Sequence, residues 1–449
     1  MNNGKDVVYF FLREYNDIDH ITPLIDHICS RRRTIVKIFA VNNNKKVFSQ
    51  NNNLLYIERS YGIKTIDLLS LCSKDKRYRV TEKCINRIQL LIGNNGIPIL
   101  KDIIRVIGIK VIGVLHLSTQ SIFRKFLFSQ NTPNVCLFDI GTEYAYPYRL
   151  IHKIISKSNI PRICIHHGLI THLNRDFNIK QKILHSTSTG VSGYFKKYYQ
   201  LLFTFMARLS PLYASGYLVP GKHYALMRSV ESGKAPRELV HEVASLRYTY
   251  AWNEVYSKSI YPVNKVNKSS SQGLKVVLMM ISDRYNVNRN SIIQVINSLA
   301  SLTWIDFTIK PFTRGDAVES YIESITKEKS IRLAPETSSL DLVRWSDVVI
   351  AYGSSIEFQP LLDDKPLIHL SFVDTNYTMF EKYNACWEVS SVNKLITALD
   401  SLYKNPKDLL YTQRSIDTLF NEVIYGGYSR EDIFDRYRSC IEDISGANL

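Results

Sequence analysis

No Gly-x-Gly-x-x-Gly fingerprint, no Walker-type Gly-Lys-Ser/Thr loop and no Cys-x-x-Cys pair occurs in the 449 residues. The first two absences remove sequence support for a dinucleotide oxidoreductase and for a phosphate-loop ATPase, whose glycine turns bring backbone N–H groups against a pyrophosphate. The seven cysteines, at 29, 72, 84, 136, 164, 386 and 440, are odd in number and widely scattered. That usage argues a reducing compartment and no structural zinc. Long hydrophobic runs are missing too. The best spanning candidate, 103–117, is broken by Arg105 and Lys110 and falls short of the ~18 uninterrupted apolar residues a membrane helix needs. The first apolar run, 7–12, is shorter than a secretory core and leads straight into Arg13 and Glu14, so it reads as a strand. The chain holds no internal repeat and no low-complexity tract.

What is present is a globular composition, 45% hydrophobic and 22% charged. The chain is too long for one ordinary core, and two domains are expected. Charge divides unevenly. Residues 1–270 carry 39 Lys and Arg against 17 Asp and Glu, net +22, whereas 271–449 carry 18 against 24, net −6. The first half therefore suits an anionic partner. Basic clusters lie at 31–33 and 74–87, and the 194–208 stretch mixes aromatics with Lys and Arg, as either an interfacial helix or a buried interdomain helix would. Each charge near an anionic leaflet contributes on the order of 1 kcal/mol, so several together hold a protein there without a spanning helix. No nucleic-acid module is recognisable, and nucleic acid is not an expected partner.

Composition shifts at 261–273, which reads as a linker between an N-terminal domain, 1–260, and a C-terminal domain, 274–425, with a final helical segment over 426–449. The first half shows short buried strands at 7–12, 34–40, 135–138, 163–165 and 216–219. The second alternates strands (274–281, 305–310, 331–333, 348–351, 367–370, 386–389) with helices (290–302, 317–326, 340–345, and from 393). The fold class is α/β: two Rossmann-like, doubly wound parallel sheets, with ligands expected in the cleft at the carboxyl ends of their strands.

Polar residues cluster at the strand ends. After the first strand, Arg13, Asp17, Asp19 and His20 either bind and deprotonate an acceptor hydroxyl or form a polar turn capping a helix that starts at Ile21. Asp139-Ile-Gly-Thr-Glu143 places an acid after a glycine turn, where Glu143 serves as a base or opens a helix. Cys164-Ile-His166-His167-Gly168 leaves a strand into a turn; metal binding is the weaker reading of the histidines, since no carboxylate or cysteine completes a plausible ligand set nearby. Lys310 and Arg314 bring cations to a strand end, suited to a phosphoryl leaving group. In Gly353-Ser354-Ser355-x-Glu357 the serines and the acid sit where a helix N-terminus attracts an anion; Ser354-x-x-Glu357 is equally a capping box that touches no ligand.

Taken together, the His-Gly after one strand, the Lys-Pro at 310–311, the Ser346-Asp-apolar-x-Gly-Ser-Ser-x-x-Glu turn followed by Lys365-Pro366, and Tyr425-Gly-Gly-Tyr-Ser-Arg430 resemble bacterial GT-B transferases of surface-polysaccharide synthesis. The pattern is similar to CDP-glycerol glycerophosphotransferases and to capsule polysialyl- and Kdo-transferases, over roughly residues 135–435. The resemblance implies an N-terminal acceptor domain, a C-terminal nucleotide-sugar domain, and a last helix that crosses back to the first domain. It implies His167 as the catalytic base, with Asp19 and Glu143 behind it, and Lys310, Arg314, Ser354, Ser355 and Glu357 as donor ligands. Arg13, Asp17, His20 and His166 are the acceptor-side candidates. The family's Lys-x-His-Pro signature reads Lys310-Pro311-Phe312 here, without the histidine, which leaves a CMP-, CDP- or UDP-linked donor open. Neither metal nor cofactor is expected. The implied setting is the cytoplasm, on the inner face of the membrane, with a glycan or lipid-linked acceptor. A nucleotide-sugar 2-epimerase of the same fold and a non-catalytic anionic-polymer binder are the alternatives.

Overall fold

The computed structural model describes residues 5–42, 46–94, 119–129, 131–144, 147–166, 168–169, 171–173, 213–220, 236–261, 273–281, 287–312, 320–329, 331–335, 337–374 and 376–449. The chain forms two compact units. Unit 1 gathers Met1–His167, Asp176–Arg247 and Tyr428–Leu449; unit 2 gathers Gly168–Arg175 and Tyr248–Gly427.

Unit 1 is built on seven parallel strands: β1 (Val7–Leu12), β2 (Ile35–Ala40), β3 (Thr65–Asp67), β4 (Val135–Asp139), β5 (Arg162–Ile165), β6 (Gly216–Pro220) and β7 (Val240–Val243), in the order β3-β2-β1-β4-β5-β6-β7. All six residues of β1 are buried, as required of a central parallel strand covered on both faces. Phe11 stacks on Phe138 at 4.5 Å and on Phe39 at 5.2 Å, so aromatic rings tie β1 to both neighbours. Sequence patterning misses β3 and β7. These are the two edge strands, short and only partly buried, so no apolar run marks them.

Unit 2 repeats the plan with six parallel strands: β8 (Leu274–Met279), β9 (Ile305–Lys310), β10 (Arg332–Leu333), β11 (Val348–Ala351), β12 (Leu367–Leu370) and β13 (Trp387–Val389), ordered β10-β9-β8-β11-β12-β13. In each sheet the order reverses beside the first strand, between β1 and β4 and between β8 and β11. Such switch points open a crevice at the strands' carboxyl ends, where α/β sheets bind ligands.

Two local findings differ from expectation. The first helix spans Tyr15–Ser30, not from Ile21, because Glu14 and Asp17 form a capping box that starts it six residues early. The N-terminal domain does not run to 260. Tyr248 packs its ring on Phe358 at 5.2 Å, Tyr250 on Phe420 at 5.3 Å, and Asn253 Oδ1 accepts from Gln359 Nε2 at 2.9 Å, so 248–260 belong to unit 2. The final helix, Ile433–Ser445, sits in unit 1, with Arg31 paired to Asp435 and the Asn448 N–H donating to Asp6 at 2.6 Å.

Candidate active site

The glycine turn after β11 is held by a buried chain of charges. Glu357 Oε1 accepts from the Gly353 and Ser354 N–H groups at 2.6 and 2.7 Å, while Oε2 meets His369 Nδ1 at 2.8 Å. His369 Nε2 lies 3.5 Å from Glu381 Oε2, which also accepts from the Thr378 N–H and hydroxyl at 2.6 and 2.8 Å. Burial opposes charge on His369, but the two carboxylates outweigh it and lift the imidazole to about 10. Burial likewise opposes charge on Glu381, yet the imidazolium holds its carboxyl below the ordinary value.

This overturns the donor-ligand expectation for Glu357. The residue is fully buried, one oxygen closes the turn and the other meets an internal cation, so the capping reading wins. Ser354 is the cap itself, its hydroxyl accepting from the Ile356 N–H. Ser355 is half-buried and takes no part in the box. At the end of β9, half-buried Lys310 donates to the Pro335 carbonyl at 2.6 Å. Lys365 is structural too: its ammonium donates to the carbonyls of Arg344 and Ser346 and closes the Ser339–Trp345 helix. Arg314 and His167 lie outside the described residues.

The segment that follows His167 is built into unit 2. Thr171 Oγ1 donates to the Gly353 carbonyl at 2.8 Å, Leu173 N–H to Tyr377 at 2.7 Å, and Met379 N–H to Thr171 at 2.9 Å. His172 bridges Thr378, and its ring fills the space over Gly353, where an added Cβ would stand 2.0 Å from His172 Cε1. Nothing in the sequence near His172 announces this docking; its partners lie some 180 to 200 positions downstream.

In unit 1 the switch point carries an ion cluster. Arg13 Nη2 meets Asp139 Oδ2 at 2.6 Å, and its Nε lies 3.7 Å from Asp17 Oδ2. Burial works against the Arg13 charge, and the carboxylates of Asp139 and Asp17 more than restore it. Asp17 is fully buried and accepts from the Arg13 and Glu14 N–H groups at 2.9 and 3.3 Å. Its role is to cap the helix, not to meet an acceptor. Asp19 accepts from Asn53 Nδ2 at 2.6 Å, which ties two helices together. His20 is half-buried on the same helix, and half-buried His166 stands at the exit of β5, its N–H bonded to the Leu218 carbonyl at 2.9 Å. Glu143 is buried, and desolvation raises its carboxyl to about 7. A carboxyl so enclosed cannot reach an acceptor hydroxyl, and the expectation that it acts as a base is withdrawn. The strand-end carboxylate is Asp139, not Glu143.

Among the described residues, one grouping has the composition of a metal site: Glu143, His152 and Cys164, remote in sequence from the glycine turn. No helix among them is long and apolar enough to cross a membrane.

Neither the known protein families nor the curated proteins contain a match to the sequence. Solved structures do match. The S. aureus MnaA–UDP co-structure is 12% identical over 99% of this chain and 98% of its own, with a TM-score of 0.50. A glycosyltransferase from Rickettsia africae is 11% identical over 98% and 99%, TM-score 0.50. A UDP-N-acetylglucosamine 2-epimerase is 9% identical over 99% and 98%, TM-score 0.51. The fold is GT-B. Its likeness runs the length of the chain, so both sheets and the returning C-terminal helix are part of it.

Proposed function

We propose that this GT-B protein is a metal-independent glycosyltransferase. It moves a sugar from a nucleotide-activated donor to a glycan or lipid-linked acceptor of a bacterial surface polysaccharide: capsule, lipopolysaccharide or a teichoic-type polymer. The observation that carries the reading is the polar Gly353–Ser355 turn at the β8/β11 switch point, where α/β sheets take nucleotides. Ser355, Lys310 and Arg314 are the groups assigned to the donor's phosphates. Cations and hydroxyls there stabilise charge as the nucleotide departs. His167 is the proposed base for the acceptor hydroxyl. The basic first half fits an acidic or membrane-held acceptor, and peripheral attachment to an anionic leaflet is part of the proposal. UDP in a similar structure makes UDP-sugars the first donors to try, ahead of CMP- and CDP-linked ones.

A nucleotide-sugar epimerase is the second reading, favoured by the 2-epimerase among similar structures. Incubating the full chain with UDP-, CDP- and CMP-sugars, with and without a glycan acceptor, separates the two. Nucleotide release that requires acceptor supports the transferase; an altered sugar nucleotide formed without acceptor supports the epimerase. A flat thermal-shift response to all the nucleotides would sink both, because a ligand selective for the folded state raises its stability. Ser355→Ala is expected to raise KM for the donor at unchanged melting temperature, whereas Glu357→Ala lowers stability by about 3 kcal/mol.

A further inference from the structure

The Tyr148–Ser156 helix packs against unit 1's sheet over a polar nest that the proposed reaction leaves unused. Glu143 is buried; neither carboxylate oxygen makes a close, well-aligned hydrogen bond, and the Tyr217 hydroxyl and the Gly141 and Glu143 N–H groups only partly ease its charge. His152 lies flat on Phe138, ring centres 3.9 Å apart, with Nε2 at 2.9 Å from Thr142 Oγ1. The Thr142 hydroxyl gives its own proton to the Asp139 carbonyl at 2.6 Å, so it can only accept from the imidazole. The ring hydrogen therefore sits on Nε2, and the lone pair on Nδ1 is left buried without a partner. Cys164, fully buried on β5, is the third member; one ligand atom from each of the three lies within 4.8 Å of the others.

We propose that Glu143, His152 through Nδ1, and Cys164 bind a divalent thiophilic metal ion, zinc by the chemistry of the set, as a structural centre of unit 1. Imidazole, thiolate and carboxylate are the ligands zinc takes. A metal-bound histidine characteristically gives its other N–H to a fixed acceptor, and here Thr142 already receives it. The carboxylate and thiolate together neutralise the dication, and His152 Nδ1, otherwise buried without a partner, gains one. Burial raises both the Glu143 carboxyl and the Cys164 thiol, so metal binding releases protons from the pair. Arg162 and Arg149 both act against positive charge at His152; the Arg162 Nη2 is drawn to the Tyr213 carbonyl at 2.6 Å and the Arg149 Nη1 to the Glu143 carbonyl at 3.3 Å. All three ligands are enclosed, which makes the centre structural: it would join β5, the turn after β4 and the covering helix. The spacing 143–152–164 matches no Cys-x-x-Cys pattern, and the expectation of no structural zinc rested on that pattern.

The test is the metal content of the full chain produced in zinc-supplemented medium. One zinc per chain is expected, lost in both Cys164→Ser and His152→Gln and kept in Cys386→Ser, which alters a buried cysteine of unit 2. Should the variants fail to fold, the unaltered chain still decides. Chelation lowers its melting temperature, zinc restores it, and cobalt added to the stripped protein gives a thiolate-to-cobalt charge-transfer band. A chain that carries no zinc, shows no such band and melts unchanged with zinc would overturn the proposal. So would zinc retained in both folded variants.

Discussion

His369 is an imidazolium enclosed by two glutamates, and its stabilising effect depends on pH in a defined direction. Its folded value, about 10, lies above the ordinary 6.5, so its contribution is complete below the ordinary value and fades as pH rises through about 10. The Glu381 carboxyl is held low, so its share is present above the ordinary carboxylate range and fades on acidification. Replacing His369 by Gln leaves two buried carboxylates without their cation, and a loss of about 3–5 kcal/mol is expected in urea unfolding at neutral pH. The alkaline fade should vanish with it. A variant within about 0.5 kcal/mol of the parent would show that the charge chain does not hold the turn. Sequence alone left Ser354-x-x-Glu357 open between cap and ligand, since the deciding contact comes from His369 on the next strand.

At the scale of elements, the Thr171–Leu173 segment and the Gly353 turn form one joint. Gly353 has φ +92°, a conformation side chains rarely adopt, and the His172 ring occupies the space a Cβ would take. Gly353→Ala therefore meets a steric penalty and a backbone penalty. In a His172→Ala background only the backbone part, about 1–2 kcal/mol, should remain, and a double-mutant cycle on thermal stability should show strong coupling. Additive effects would mean the segment does not dock as described. The strands β1, β11 and β12 were legible because a buried, mostly apolar run covered on both faces needs no distant information. The cap was legible only in kind: a polar turn capping a helix from Ile21 was one of two readings, and the helix starts at Tyr15 with Asp17 in its first turn. The docking of His172 was not legible, since it depends on where the loop after β12 comes to lie.

For the whole molecule, unit 1 is completed by the last stretch of chain. Ile433, Tyr437, Ile441 and Leu449 are buried, Asp435 pairs with Arg31, and Gly216 leaves room for Ile444. Each large apolar side chain so buried contributes about 1.5–3 kcal/mol. Ending the chain after Gly427 should therefore cut hydrogen-exchange protection across β4–β6 and leave β8, β11 and β12 protected as before. Equal loss in both units, or none, would contradict the assignment of this segment to unit 1.

Local periodicity in the sequence determined that strands alternate with helices, where the central strands lie, and that one half is basic and the other mildly acidic. Those properties are set by neighbours a few positions apart. The tertiary structure alone decided which polar groups meet: Arg13 with Asp139, Glu357 with His369 and Glu381, and Glu143 beside His152 and Cys164. Each pairing depends on strand order and on what the sheet buries, and burial turned Glu143 and Glu357 from candidate surface ligands into interior groups.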